Sequence, residues 1–133
     1  MTPGHTLSTE TTTARVQVVV AGFTIADTAH AVLLHETGLP TRYYVPRADV
    51  AMDRLVPTDT STSCPFKGDA VYWSADVDGT VVANIAWSYP NPIAERADIT
   101  GLVCFFDERV DRITVDGVAI ARPETQWSQP LAS

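Results

Sequence analysis

The chain has 133 residues, 45% hydrophobic and 19% charged, with a net charge of −7. That size and balance suit one folded domain and exclude a disordered chain. The acidity argues against nucleic acid and anionic membranes as partners, and no run approaches the ~20 apolar residues of a spanning helix.

In chain order, residues 1–13 are rich in Thr, carry Pro3 and Gly4, and read as a disordered leader. They lack the charged and apolar segments of a signal peptide, so a cytoplasmic location is expected. Arg15 to Val20 (RVQVVV) is a β-branched run, and Ala21-Gly22 turns it into Phe23 to Ala26. Ala29 to Glu36 suits a short helix or a strand, and the flanking Gly38 and Pro40 favour the strand. Thr41 to Val45 (TRYYV) is a strand closed by Pro46, and Ala48 to Leu55 has the spacing of one or two helical turns. Ala70 to Val77 and Thr80 to Tyr89 are two strong strands around an Asp78-Gly79 hairpin turn. Asn91 to Asp98 reads as a helical turn, Leu102 to Phe106 and Arg112 to Val115 as strands, and Asp116-Gly117 as a further turn. The tail from 122 to 133 holds one adhesive residue, Trp127. The expectation is a single mainly β domain over 14–121, built from antiparallel sheets with one or two short helices. No βαβ alternation is present, so no Rossmann-type cofactor site is expected.

Five segments carry a resemblance: IADT, LLHETGLPTRYYVPRADV, LVPTDTSTSCPFKGDAVYW, AWSYPNPIAE and ITGLVCFFDERVD. Together they cover roughly residues 15 to 117, and the chain resembles the bacterial family known as domain of unknown function 427. The resemblance implies a β-tent, two antiparallel sheets leaning together around a cleft. Relatives of that fold bind zinc through four cysteines; this chain has only Cys64 and Cys104, so the resemblance carries over no metal. Members often have a His shortly before the Cys-Pro pair, and Thr60 stands there in this chain. The family supplies a fold and a site, not a reaction.

Lys67 is the one lysine beside eight arginines, and it follows Cys64 by three residues at the mouth of an aromatic strand. A partly desolvated lysine suits Schiff-base or general-base chemistry; it also serves as a point charge for a carboxylate, or as a plain surface residue. Cys64 is either a thiol activated by Lys67 or a small buried apolar group, and Cys104, in LVCFF, reads as the latter. Tyr43, Tyr44, Phe66, Tyr72, Trp73, Trp87 and Tyr89 lie in or beside three central strands. Alternation puts Trp87 and Tyr89 on one face, with one of Tyr72 or Trp73 beside them, as a cleft lining or a core. Glu36 and Glu95 are candidate proton carriers, with Asp49 a candidate helix cap. Arg42 shares a strand face with Tyr44 and suits a substrate carboxylate; Arg42 and Arg47 together form a small basic pair. Asp76-Val-Asp78 is better explained by its hairpin turn than by nucleotidyl transfer, because no Gly-rich phosphate loop accompanies it. His30 and His35 do not have the spacing of a helical metal pair, and no metal or other cofactor is expected.

These residues point to an enzyme doing cofactor-free acid/base or iminium chemistry, as a lyase or cyclase in a condensation or cyclisation between an amine and a carbonyl in secondary metabolism, or as an isomerase. Lys67, Glu36 and Glu95 are the catalytic candidates. Arg42, Tyr44, Cys64, Tyr72, Trp87 and Tyr89 are the candidate substrate contacts, and the ligand expected is a small aromatic or carboxylate-bearing metabolite. The alternative is a sensor or carrier of a flat aromatic metabolite without turnover. Homodimer formation is left open.

Overall fold

The computed structural model describes residues 6–125 and 128. Among them run eleven strands: β1 (Leu7–Thr11), β2 (Val16–Val20), β3 (Phe23–Thr28), β4 (Val32–Glu36), β5 (Arg42–Val45), β6 (Leu55–Cys64), β7 (Gly68–Val77), β8 (Thr80–Ser88), β9 (Val103–Phe105), β10 (Arg112–Val115) and β11 (Val118–Ala119). They form two antiparallel sheets. The large one has the order β1-β4-β5-β9-β8-β7-β6 and the small one β11-β10-β2-β3. The helical spacing at Ala48 to Leu55 becomes two 3-10 turns, Arg47–Asp49 and Met52–Arg54, and a third 3-10 stretch covers Ala94–Ile99.

Two strands differ from expectation. β1 lies in the segment read as a disordered leader, where it pairs in register with β4 from Leu7–Glu36 to Thr11–Val32. β6 was not anticipated at all. Its sequence, LVPTDTSTSC, is polar on both faces because it is an edge strand largely open to solvent, so no period-2 pattern marks it. Trp127 lies outside the described residues.

Side-chain alternation sorts the large sheet into two apolar faces. Trp73, Ala75, Ile85, Val103 and Phe105 face the small sheet and meet Val16, Val18, Val20, Ile25 and Ile113. This layer fills the space between the sheets, as expected of a two-sheet domain. Tyr44, Tyr72, Trp87, Tyr89, Cys104 and Phe106 form a second cluster on the other side of the large sheet. The hollow expected between the sheets therefore lies on the far face of the larger one.

That sheet is strongly bent. Four strand steps separate β4 from β7, roughly 19 Å if the sheet were flat. Yet Lys67, in the β6–β7 turn, reaches Glu36 at the end of β4. Irregular pairing accompanies the bend: the register slips between Pro57 and Ser61 on β6 and between Trp73 and Ala75 on β7. Asn84 on β8 sits beside these slips with φ of 48°. Its amide accepts from the Thr58 hydroxyl at 2.7 Å and donates to Thr60 at 3.0 Å, and its backbone N–H donates to Ser74. Asn tolerates this left-handed conformation better than most residues, and these bonds hold it there.

Candidate functional site

The far face of the large sheet encloses a cavity of about 270 Å³, at the small end for an organic ligand. β4 and β5 supply Leu34, Glu36, Arg42 and Tyr44. β7, β8 and the residues following β8 and β9 supply Tyr72, Trp87, Tyr89 and Phe106. The β6–β7 hairpin closes one side with Thr62, Ser63, Cys64 and Lys67, and the β4–β5 turn adds Leu39 and Pro40.

Tyr72 pairs across strands with Trp87 and faces the cavity, while Trp73 points into the core between the sheets. Arg42 and Tyr44 share the cavity face of β5, and Tyr43 packs against the opposite core. Trp87 packs against Phe106 with centroids 4.4 Å apart and meets the edge of Tyr44 at 6.3 Å. Its indole N–H donates to the Tyr44 hydroxyl at 3.2 Å, which satisfies a donor that would be costly to bury alone. Burial pushes the Tyr44 hydroxyl well above its ordinary range. Burial, with Cys64 and Tyr72 close by, does the same to Tyr89. Both phenols therefore stay neutral in the physiological range.

Lys67 Nζ donates to Glu36 Oε1 at 2.6 Å, and the two side chains are only 12% and 6% exposed. The tip that carries Lys67 is fixed by its backbone. Lys67 N–H donates to Cys64 O, and Lys67 O accepts from Ile93 N–H. Gly68 follows with φ of +124°, and a Cβ there would meet Pro92 Cα at 3.0 Å. A glycine is required at this close approach.

Arg42 lines the cavity, but its guanidinium is committed to carboxylates beneath the floor. It holds Glu108 through two bonds, at 2.6 and 2.9 Å, and Asp107 at 3.2 Å. Its carbon lies 5.3 Å from the Trp87 ring centroid. Burial drives Asp107 up to about 6 against the pull of Arg42. Burial also works to raise Glu108, but hydrogen bonds from Arg42 and Thr125 outweigh it and hold that carboxyl below its usual range. The expected role of Arg42, clamping a ligand carboxylate, gives way to this internal pairing. The expected Arg42–Arg47 pair is also split. Arg47 lies over Trp73, which faces the opposite side of the large sheet.

Glu95 stands exposed in the first turn of the 3-10 stretch and takes no part in lining the cavity. Neither His30 nor His35 lines it; His35 bonds Thr41 instead. Asp49 accepts from the Thr28 hydroxyl rather than capping a helix. Thr60 lines a shallower hollow with Thr58 and Asn84. Cys64 lines the cavity, whereas Cys104 is fully buried and its thiol is driven up by that burial. Asp76 accepts the Gly79 N–H and Asp78 takes up a positive φ of 51°, so both aspartates serve the hairpin turn, and Asp78 also pairs with Arg54. Among the described residues no group of three or more His, Cys, Asp or Glu is placed to hold a metal.

Phe106, Asp107 and Glu108 were not among the candidate site residues. Phe106 ends the apolar run LVCFF and the two carboxylates follow it, and only the pairing of β5 with β9 brings them beneath Arg42. A family model described as a domain of unknown function, DUF427, matches residues 8–116. The chain belongs to this family. No curated protein matches it. The match spans both sheets of this DUF427 domain, from β1 to the turn after β10. Among the described residues no helix is long and apolar enough to cross a membrane.

Proposed function

We propose that the cavity binds a small flat organic molecule and performs cofactor-free acid/base or iminium chemistry on it, of the kind used in amine–carbonyl condensations and cyclisations of secondary metabolism. The observation that supports this reading is the placement of Lys67 and Glu36, joined at 2.6 Å, in the same hollow as Tyr44, Tyr72, Trp87 and Tyr89. Aromatic walls hold a planar ligand, and an amine beside a carboxylate is a minimal proton-transfer pair.

The step balances without a further reagent. Lys67 passes a proton to Glu36, and the neutral amine adds to a substrate carbonyl to give a carbinolamine. Glu36 returns its proton to the departing hydroxyl, water leaves, and the iminium remains on Lys67. A second amine can then displace Lys67 and complete a condensation. Glu95, exposed and outside the cavity, has no role in this scheme.

A binder without turnover is the rival reading, and the closed ion pair favours it in one respect. Lys67 held by Glu36 also serves as a strap between the hairpin tip and β4. The two readings separate on trapping with 2-naphthaldehyde and cyanoborohydride. The enzyme reading expects a reduced adduct on Lys67, located by peptide mass spectrometry and much reduced in Glu36→Gln. The chain has one lysine, so a lysine adduct identifies its own position. Labelling at the N-terminal amine alone would sink the iminium scheme.

A further inference from the structure

The charges around the cavity divide into a settled set and an exchangeable one. Arg42 is held from below by Glu108 and Asp107, and Arg109 lies 4.2 Å from the Phe106 ring centroid. Two cations and two carboxylates balance there, and their bonds are among protein groups. Lys67 and Glu36 remain as the charged pair lining the cavity.

The members of this pair differ in how readily they leave. Glu36 ends a strand paired to β1 on one side, and its side chain is 6% exposed. Lys67 sits in a turn, 12% exposed, on a four-carbon stem that can carry its ammonium into water. A ligand carboxylate bound at Lys67 would stand against the carboxylate of Glu36, two like charges in a poorly solvated place. A ligand ammonium can take the position of Nζ on Glu36 and release Lys67 to solvent. The faces of Tyr and Trp rings attract cations and repel anions, which adds to the same preference.

We propose that the ligand class of this cavity is an aromatic amine borne as its ammonium, which replaces Lys67 on Glu36, and that carboxylate-bearing ligands are disfavoured. The inference rests on the small-molecule reading of the cavity. Within that reading, the amine partner docks on Glu36 once the iminium has formed on Lys67, passes its proton to that carboxylate and adds to the iminium, and Lys67 leaves as the amine and takes the proton back. It also reverses the expectation of a carboxylate-bearing ligand drawn from Arg42.

Three probes with one ring system test it by calorimetric titration of the full chain at pH 7.5: 2-(2-naphthyl)ethylamine, 2-(2-naphthyl)ethanol and 2-naphthylacetate. The amine should bind at least tenfold more tightly than the alcohol, and the acetate more weakly than the alcohol. Lys67→Gln removes the competing ammonium, so it should tighten amine binding about threefold or more and leave the alcohol within twofold. Glu36→Gln should abolish the preference for the amine. Thermal unfolding checks each variant, and Lys67→Gln decides alone if Glu36→Gln does not fold. Alcohol binding with the acetate tighter than the amine, or with Lys67→Gln weakening the amine, overturns the ammonium inference and leaves the cavity reading standing. Absence of millimolar or better binding by all three overturns both.

Discussion

Glu36 and Lys67 lie 31 residues apart, with β5, β9 and β8 between their places in the large sheet, and their charged atoms meet at 2.6 Å. The contact exists because the sheet bends, so it should contribute to holding the bend. Removing one partner of a mostly buried pair leaves the other charge poorly compensated. Lys67→Met is expected to cost about 2–4 kcal/mol in urea unfolding. The double variant Lys67→Met/Glu36→Leu should recover part of that loss, because neither charge then remains. A double variant less stable than the sum of the two single losses would contradict this account.

Arg42 should be harder to replace than Lys67. Its two bonds to Glu108 need the planar fork of a guanidinium, and Asp107 shares one end of it. Arg42→Met leaves two buried carboxylates facing each other and is expected to lose about 3–5 kcal/mol. Arg42→Lys should restore less than half of this, since an ammonium cannot reproduce the paired bonds. Full rescue by lysine in chemical denaturation would count against it.

The carboxyls under Arg42 titrate with opposite signs. Asp107, raised to about 6 from 3.8, binds its proton more tightly folded than unfolded. Stability from this group therefore grows as pH falls from about 6 towards 4, and shrinks as pH rises through that window. Glu108, held below its usual range, contributes stability above that range and loses it as pH falls through its folded value. Asp107→Asn isolates the first effect. The stability of the parent relative to Asp107→Asn should increase by about 2 kcal/mol between pH 7 and pH 4. A constant or shrinking difference between the two urea curves would refute it.

Gly68 and Gly22 both have positive φ but differ in surroundings. A Cβ at Gly68 meets Pro92 Cα at 3.0 Å and Asn91 O at 3.3 Å, whereas one at Gly22 meets nothing within 4 Å. Gly68→Ala should cost about 2–3 kcal/mol and Gly22→Ala about 1 kcal/mol, as read by thermal unfolding. Gly68→Ala should also shift the Lys67 tip, so its amine-probe affinity should change while that of Gly22→Ala does not.

The two thiols offer a simpler check. Cys64 borders the cavity and Cys104 is sealed in the second apolar cluster, its thiol raised by burial. A thiol reagent should label one cysteine in the native protein and two in denaturant. Labelling Cys64 should also block the naphthyl probes.

Much of this fold was written in local pattern. Asp78-Gly79 between two β-branched runs announced the β7–β8 hairpin, and alternation through RYYV put Arg42 and Tyr44 on one face. β1 and β6 left no such trace. Edge strands that bury little need no run of alternating apolar residues, and Thr and Ser suit them as well as they suit a loop. Most of the cavity lining was legible because Trp and Tyr in neighbouring strands share a face by register. The exceptions depend on curvature. Nothing local to Glu36 or Lys67 tells of their meeting, and Asp107 and Glu108 become partners of Arg42 only once β5 lies beside β9. Glu95, by contrast, sits inside the span matched by the family, yet its position in a solvent-facing turn follows from the loop rather than from the motif.

Asn84, with its hydroxyl neighbours Thr58, Thr60 and Ser74, joins β6, β7 and β8 where their pairing slips, as a hinge pin joins the panels of a folding screen. Substitutions there would open or narrow the panel angle without altering a single wall residue. None of these four residues lines the cavity, so the width of the hollow is open to mutation independently of the side chains that wall it.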